Sequence, residues 1–261
     1  MFQMKEDLLI KDIMSKPIAI AKSAAITEAL DKMLDEAADP LIVTNNGSVV
    51  GTISRKAIAD TLGSKKTSAV SPTKIHVVNK IDEGFTSAYP DEPVDVLVPL
   101  LQEFKIVVIL DADHKLIGKV DATDLLKVMK PGVPAEKIMQ DPRTIHPGER
   151  VVHLRRRMLD EDVTKFVVTD DGSVVGIVTE TDIAKSLREF RSTVEDNHQE
   201  HRVRNLYVSD IMTSPALTVD TGTGIDEIVD LLVNKSISSV PVVNDNKLVG
   251  QISKESLIVA L

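Results

Sequence analysis

The sequence predicts an α/β (α+β) fold built from four copies of one strand–helix–strand–strand–helix unit. An apolar strand, a turn and a second strand with a central glycine recur along the chain. These central glycines are Gly51, Gly118, Gly176 and Gly250. An apolar helical pattern precedes each hairpin, and a capping-type residue follows it. Such repetition outweighs any single motif, since one isolated copy would indicate only a well-capped helix.

The first repeat, predicted over residues 8–63, shows the unit in full. Ile26, Leu30 and Met33 recur at helical spacing, which indicates a helix with one apolar face. A buried strand follows, and the dipeptide Asn46-Gly47 is typical of a tight hairpin turn. The second strand leads into a helix that begins near Ser54. The remaining repeats are predicted over residues 70–130, 134–188 and 205–261.

The segments between repeats are polar or contain helix-breaking residues. Pro131-Gly132-Val133-Pro134 divides the chain near its midpoint. Residues 64–80 are predicted to form a connector with one entering strand over 75–78. Residues 188–204 are charged, and His198 and His201 would share a helix face there. A solvated linker helix is favoured over a metal site, because no third ligand recurs at a supporting spacing.

Composition limits the classes of function. The 261 residues are 43% hydrophobic, enough for a real core, and contain no cysteine, which excludes disulfides and thiolate chemistry. No apolar run approaches the ~20 residues needed to cross a bilayer, so a cytoplasmic location is expected. The net charge of −9 and the 3% aromatic content argue against a nucleic-acid surface.

The repeated motifs resemble those of the CBS domain, named after cystathionine beta-synthase. In the fourth repeat they are Asp210-Ile211-Met212 with Pro215, and then Val240-Pro241-Val242-Val243. The closing motif is Gly-x-x-Ser/Thr-x-x-Asp, complete from Gly176 to Asp182. The resemblance implies two pseudo-twofold (Bateman) modules, which pair repeats 1 with 2 and 3 with 4. It also implies clefts that bind AMP, ADP, ATP or S-adenosylmethionine, as in the gamma subunit of AMP-activated kinase.

The third repeat carries the complete binding pattern. In the family, the aspartate holds the ribose hydroxyls, and the Ser/Thr hydroxyl with nearby amides holds phosphate; these positions are Asp182 and Thr179 here. A helix N-terminus is a natural phosphate seat. We expect the purine to lie near Thr144, Ile145 and Val167. Candidate neutralising groups are Lys165 and the run Arg155 to Arg157, although a solvated helix face suits most of this run.

The other three repeats depart from the pattern. The first keeps Ser54 but has Ala57 in place of the aspartate. The second keeps Asp124 but has Asp121 at the hydroxyl position, where a carboxylate repels phosphate. The fourth has Ser253 and the weaker acceptor Ser256. For Ser54 and Ser253, plain helix capping remains an alternative role.

The sequence therefore predicts a non-catalytic, adenine-nucleotide-sensing protein with no catalytic residue, metal or cofactor. Apolar helix stripes predict a homo-oligomer, and a sensor implies a regulated protein that the sequence does not identify. One alternative is an interaction scaffold with degenerate clefts, which nucleotide-induced stabilisation would distinguish. The other is a nucleic-acid-binding CBS protein, which the acidic pI of about 5.2 opposes.

Overall fold

The structure is a computed structural model that describes residues 8–62, 72–193 and 205–261. The strands are β1 (Ala19–Ala21), β2 (Leu41–Asn45), β3 (Ser48–Ile53), β4 (Thr86–Ala88), β5 (Ile106–Leu110), β6 (Leu116–Asp121), β7 (Thr144–Ile145), β8 (Lys165–Asp170), β9 (Ser173–Thr179), β10 (Val219–Asp220), β11 (Ser239–Asn244) and β12 (Lys247–Ser253). The helices are α1 (Ile10–Ile13), α2 (Ile26–Asp35), α3 (Arg55–Leu62), α4 (Leu97–Glu103), α5 (Ala122–Leu126), α6 (Ala135–Ile138), α7 (Val151–Asp160), α8 (Glu180–Thr193), α9 (Val208–Ile211), α10 (Ile225–Asn234) and α11 (Lys254–Val259). The predicted mixed α/β fold is confirmed, whereas His198 and His201 lie outside the described residues.

The first repeat follows the predicted order because its apolar pattern matches each element. The helix-face residues Ile26, Leu30 and Met33 are buried in α2. Asn46 and Gly47 have φ values of 51° and 84°, as a two-residue hairpin turn between β2 and β3 requires. The predicted helix near Ser54 begins one residue later, at Arg55.

The predicted strand over residues 75–78 is wrong. Short 3-10 helices, Pro72–Lys74 and Val77–Lys80, occupy this region instead. Ile75 and Val77 are buried, so the alternating pattern reports burial correctly. The bridge between Ala25 and His76 and the backbone hydrogen bonds from Val77 to Ala24 and from Val78 to Lys22 join the segment to the first repeat, but no strand ladder develops there. Alternate burial along two short 3-10 helices thus resembles a strand in the sequence.

The first compact unit comprises the chain up to Ile138 together with Gly224–Ser238 and Ser253–Leu261. It holds two three-stranded sheets, β1-β2-β3 and β4-β5-β6. In each sheet a parallel pair is followed by an antiparallel hairpin. Ile42 of one sheet lies with Ile106 and Val108 of the other in one apolar cluster. Repeats 1 and 2 therefore pair through their sheets, as predicted.

The same unit contains two helices of the fourth repeat, α10 and α11. They pack against α4 and α5 of the second repeat. Lys254 Nζ donates to Thr123 Oγ1 at 2.8 Å, and Lys130 Nζ lies 2.7 Å from Asp230 Oδ1. The compact units consequently differ from the two sequence halves that the Pro/Gly segment suggests, because these apolar helix faces are buried against helices of another repeat.

The second compact unit comprises Met139–Thr223 and Ser239–Ile252. Its strands form one six-stranded sheet in the order β10-β11-β12-β9-β8-β7. The sheets of repeats 3 and 4 join where Lys247 of β12 pairs with Ser173 of β9. A core cluster beneath β8 and β9 includes Phe166, Val168 and residues of α7. Repeats 3 and 4 are therefore paired as well.

Each hairpin glycine leaves space for a side chain from the opening segment of the paired repeat. We call this space the glycine seat. The pairs are Met14 on Gly118, Ile81 on Gly51, Met212 on Gly176 and Met139 on Gly250. A Cβ atom at Gly118 would lie 2.8 Å from Met14 Sδ, and one at Gly176 would lie 2.9 Å from Met212 Sδ, so the methionine would have to shift. The recurring glycine and the recurring Ile-Met motif are thus two halves of one contact. Both motifs are visible in the sequence, but this exchange between repeats is not.

Candidate functional site

The third repeat presents a buried carboxylate at the start of a long helix. β9 ends at Thr179, and the 14-residue helix α8 begins at Glu180. The Thr179 N–H and hydroxyl donate to Oδ2 of Asp182 at 2.8 and 2.7 Å. Asp182 is only 9% exposed. The predicted pair Thr179–Asp182 is therefore a directly bonded unit at a helix N-terminus.

The second carboxylate oxygen of Asp182 has a different environment. Within residues 8–62, 72–193 and 205–261, no hydrogen bond or ion pair engages Oδ1. This oxygen is not fully buried, so a ligand that donates hydrogen bonds can reach it and replace water there. Vicinal hydroxyls of a ribose are such donors.

The three residues predicted to contact the purine lie on β7 and β8. Thr144 pairs with Val167, and Ile145 with Val168, in a parallel register. Ile145 belongs to the core cluster and is 2% exposed, so its side chain packs in the interior. Thr144 is exposed and Val167 is buried. Lys165 is the cross-strand neighbour of Thr179 and makes contacts of its own.

The arginine run on α7 is engaged by neighbouring groups. Arg157 lies 4.5 Å from the ring centroid of Phe166, and its Nη1 donates to the Thr144 carbonyl at 2.9 Å. Its Nε also donates to Glu161 at 2.8 Å. Arg156 pairs with Asp160 on the exposed helix face, and Arg155 has a partner too. These contacts agree with the solvated-face role for most of the run.

The equivalent position in the second repeat is a closed charge cluster. Lys119 Nζ lies 2.5 Å from Oδ2 of Asp121 and 3.2 Å from Oδ2 of Asp124. The Ser15 hydroxyl donates to the same Asp124 oxygen at 2.9 Å, and Lys127 Nζ lies 3.5 Å from Oδ1. Both oxygens of Asp124 thus have protein partners. Asp121 also caps α5 by accepting from the Thr123 and Asp124 amides.

The cluster shifts two pKa values. Burial acts to raise the pKa of Asp121, but the ammonium of Lys119 outweighs it, so this pKa lies below its usual range. Burial likewise acts to lower the pKa of Lys119, and the two carboxylates hold it above its usual range. The Asp121 contribution to stability is present above the unfolded pKa near ~4 and is lost as pH falls through the folded value. The Lys119 contribution is present below ~10.4 and is lost as pH rises through its folded value.

Asp121→Asn is therefore expected to lower the free energy of unfolding by about 1–2 kcal/mol at pH 7, because a hydrogen bond to a charged group is weakened. The difference from the parent should shrink as the pH falls below the unfolded pKa of about 4, because the carboxylate of the parent protonates. Urea unfolding at a series of acidic pH values measures it. Asp91→Asn, which removes the exposed partner of Lys11, is the control and should change little. A difference that stays constant at every acidic pH at which the parent remains folded would contradict the assignment.

Serine side chains in the first and fourth repeats cap their helices. Ser54 Oγ accepts from the Ala57 amide at 3.2 Å. Ser253 and Ser256 form a reciprocal capping box, and the Ser256 hydroxyl donates to the Ser253 carbonyl at 2.9 Å. Ser253 and Ser256 are also buried. Capping, the alternative role for Ser54 and Ser253, is thus present in both repeats.

Other classes of site are not indicated in the part of the chain that the structure describes. There, no group of three or more histidine and acidic residues could hold a metal ion. No described helix is long and apolar enough to pass through a membrane.

Comparison with known proteins decides the family. The CBS domain model matches residues 10–64, 78–131, 135–189 and 208–261. The chain belongs to the CBS-domain family. These four CBS domains cover most of the sequence and correspond to the four repeats. The resemblance inferred from the repeated motifs is therefore confirmed.

Similar proteins include MJ1225 of Methanocaldococcus jannaschii, 23% identical over 84% of this chain and 85% of that protein. Its crystal structure, described as that of a proposed archaeal homologue of g-AMPK, covers 96% of this chain and 99% of that chain with a TM-score of 0.83 at 22% identity. An uncharacterized conserved protein from Pyrococcus horikoshii covers 97% of this chain and 100% of that chain with a TM-score of 0.64 at 21% identity. These likenesses establish the CBS-domain fold.

Some relatives that match part of the chain are named as enzymes. L-aspartate semialdehyde sulfurtransferase of M. jannaschii is 26% identical over 57% of this chain but only 28% of the enzyme. The chain thus spans about a quarter of that relative, and the match does not transfer its activity.

Proposed function

We propose that this CBS-domain protein is a non-catalytic regulatory sensor that binds an adenosine phosphate in the cleft of repeat 3. The observation that supports this most directly is the buried carboxylate of Asp182, whose Oδ1 has no partner in the described chain. Two hydroxyls of a ribose can satisfy that oxygen, and the N-terminus of α8 offers amides and a partial positive charge for a phosphate.

The other clefts make the scaffold alternative a serious one. Both oxygens of Asp124 are engaged in repeat 2, and the serines of repeats 1 and 4 cap their own helices. The motif residues Ser54, Asp124, Ser253 and Ser256 thus each have a partner within the described chain. A protein with all four clefts inactive would act through its surface alone, so the proposal depends on repeat 3.

Calorimetric titration with AMP, ADP, ATP and S-adenosylmethionine tests the proposal. We expect saturable binding of an adenosine phosphate at one site per chain, with a matching rise in the unfolding temperature, because a ligand that binds only the folded state stabilises it. Guanosine monophosphate serves as the control for the base. Absence of both heat and stabilisation for all four ligands would favour the scaffold.

The proposal includes partners and a location. A sensor needs a regulated protein, and a second copy of the chain remains a proposed partner that light scattering can test. MJ1225, whose fold this chain shares, is itself described as a proposed homologue of g-AMPK. The cytoplasm is the proposed compartment, in keeping with a chain that contains no cysteine.

A further inference from the structure

The residue after the hairpin glycine differs between the clefts of repeats 2 and 3. It is Lys119 in repeat 2 and Ile177 in repeat 3. Lys119 bridges to Ser15 and Ile177 to Thr213, each through a reciprocal pair of backbone hydrogen bonds. The two side chains therefore leave equivalent strand positions on equivalent backbones.

In repeat 2, the side chain of this residue pairs with the carboxylate that would otherwise hold a ribose. The Lys119 side chain is 13% exposed, and its Nζ contacts Asp121 and Asp124 together. A neutral hydroxyl competes poorly with an ammonium group for the same carboxylate oxygen, because the ammonium adds Coulomb attraction to its hydrogen bond and the hydroxyl does not. A ligand would also have to leave Lys119 buried without its partners. The lysine thus acts as an internal substitute for a ligand.

In repeat 3, the corresponding residue cannot act this way. Ile177 is half-buried and has no polar atom in its side chain. Asp182 Oδ2 is held by Thr179, while Oδ1 has no partner in the described parts of the chain. An apolar side chain at this position also offers a surface for the flat face of a purine.

We propose that Ile177 is a specificity-determining residue, and that an apolar side chain here keeps the cleft open to a nucleoside while a lysine closes it. The inference rests on the proposed function for the choice of ligand. The residue after the glycine, and not Thr179 and Asp182 alone, then decides whether a cleft binds a nucleoside.

Ile177→Lys tests this in the full chain. We expect at least a roughly tenfold loss of affinity for AMP by calorimetry, because the introduced ammonium competes with the ribose for Asp182. Ile177→Met, which is unbranched but uncharged, separates charge from shape and should lose distinctly less. Affinity of the Ile177→Lys variant equal to that of the parent, or equal losses in the two variants, would overturn the inference.

A ligand-free measurement keeps the outcome distinct from failure of the proposed function. Urea unfolding of Ile177→Lys, Asp182→Asn and the double variant forms a double-mutant cycle. A favourable coupling between the introduced ammonium and the Asp182 carboxylate is expected, since that ammonium should reach the carboxylate as Lys119 reaches Asp124. A cycle without coupling contradicts the inference even if AMP binds the parent. Coupling without any nucleotide binding by the parent would contradict the proposed function alone.

Discussion

Asp182→Ala is expected to weaken binding of the adenosine phosphate about tenfold to a hundredfold. Hydrogen bonds to a charged acceptor contribute about 1.5–3 kcal/mol, which corresponds to that range of dissociation constants. The Asp182 carboxylate is buried, so water does not replace it as an acceptor at low cost. Calorimetry with AMP measures the change. The variant also removes the acceptor for the Thr179 amide, so its unfolding curve must show that the cleft remains folded.

Asp124→Ala is the matched control, because Asp124 is the same motif position in repeat 2. Its carboxylate is already engaged by Ser15, Lys119 and Lys127. Loss of this carboxylate should lower stability and leave nucleotide affinity nearly unchanged. Equal losses of affinity in the two variants, or none in Asp182→Ala, would move the site away from repeat 3.

Gly51→Ala is expected to destabilise the protein by about 3 kcal/mol or more. Gly51 has φ +146°, where side chains are strained, and a Cβ atom would collide with the Asp82 carbonyl and lie 2.5 Å from Ile81 Cγ2. That carbonyl is backbone held by the Thr52 amide at 2.8 Å, so it cannot move without breaking the contact between the paired repeats. Urea unfolding followed by circular dichroism measures the loss.

Gly222→Ala is the control for the same chemical change. No atom lies within 4 Å of a Cβ built there, and its φ is not in the left-handed region. The expected effect is within about 0.5 kcal/mol, as for ordinary surface substitutions. If Gly51→Ala were as mild as Gly222→Ala, the close approach of the opening segment would not be a constraint on the fold.

The sequence predicted the elements that depend on neighbouring residues. The turn at Asn46-Gly47 follows from local backbone preference, and the α2 face follows from apolar spacing. The predicted strand near Ile75 is wrong for the same reason, since local alternation cannot distinguish a strand from short 3-10 helices with alternate buried residues. Local patterns therefore predict burial more reliably than they predict strand pairing.

The partners of the polar side chains were the part that the sequence did not predict. The Lys119 ammonium reaches Asp124 because β6 and α5 meet there, and Ser15 arrives from more than a hundred residues away. Thr179 was predicted as a capping hydroxyl, and its hydroxyl instead donates to Asp182. The residue types were correct for a polar cleft, but the proton donors and partners depend on the folded backbone.

The exchange of opening segments between paired repeats limits how the number of repeats in such a chain can change. The opening segment of each repeat packs on the glycine of the paired repeat. The glycine of that first repeat is in turn covered by the opening segment of its partner. Gain or loss of one repeat by gene duplication or deletion would leave one seat empty and one apolar side chain exposed. Gain or loss of two repeats that exchange segments, such as 1 with 2 or 3 with 4, leaves every seat filled. Viable changes in repeat number should therefore occur in steps of two.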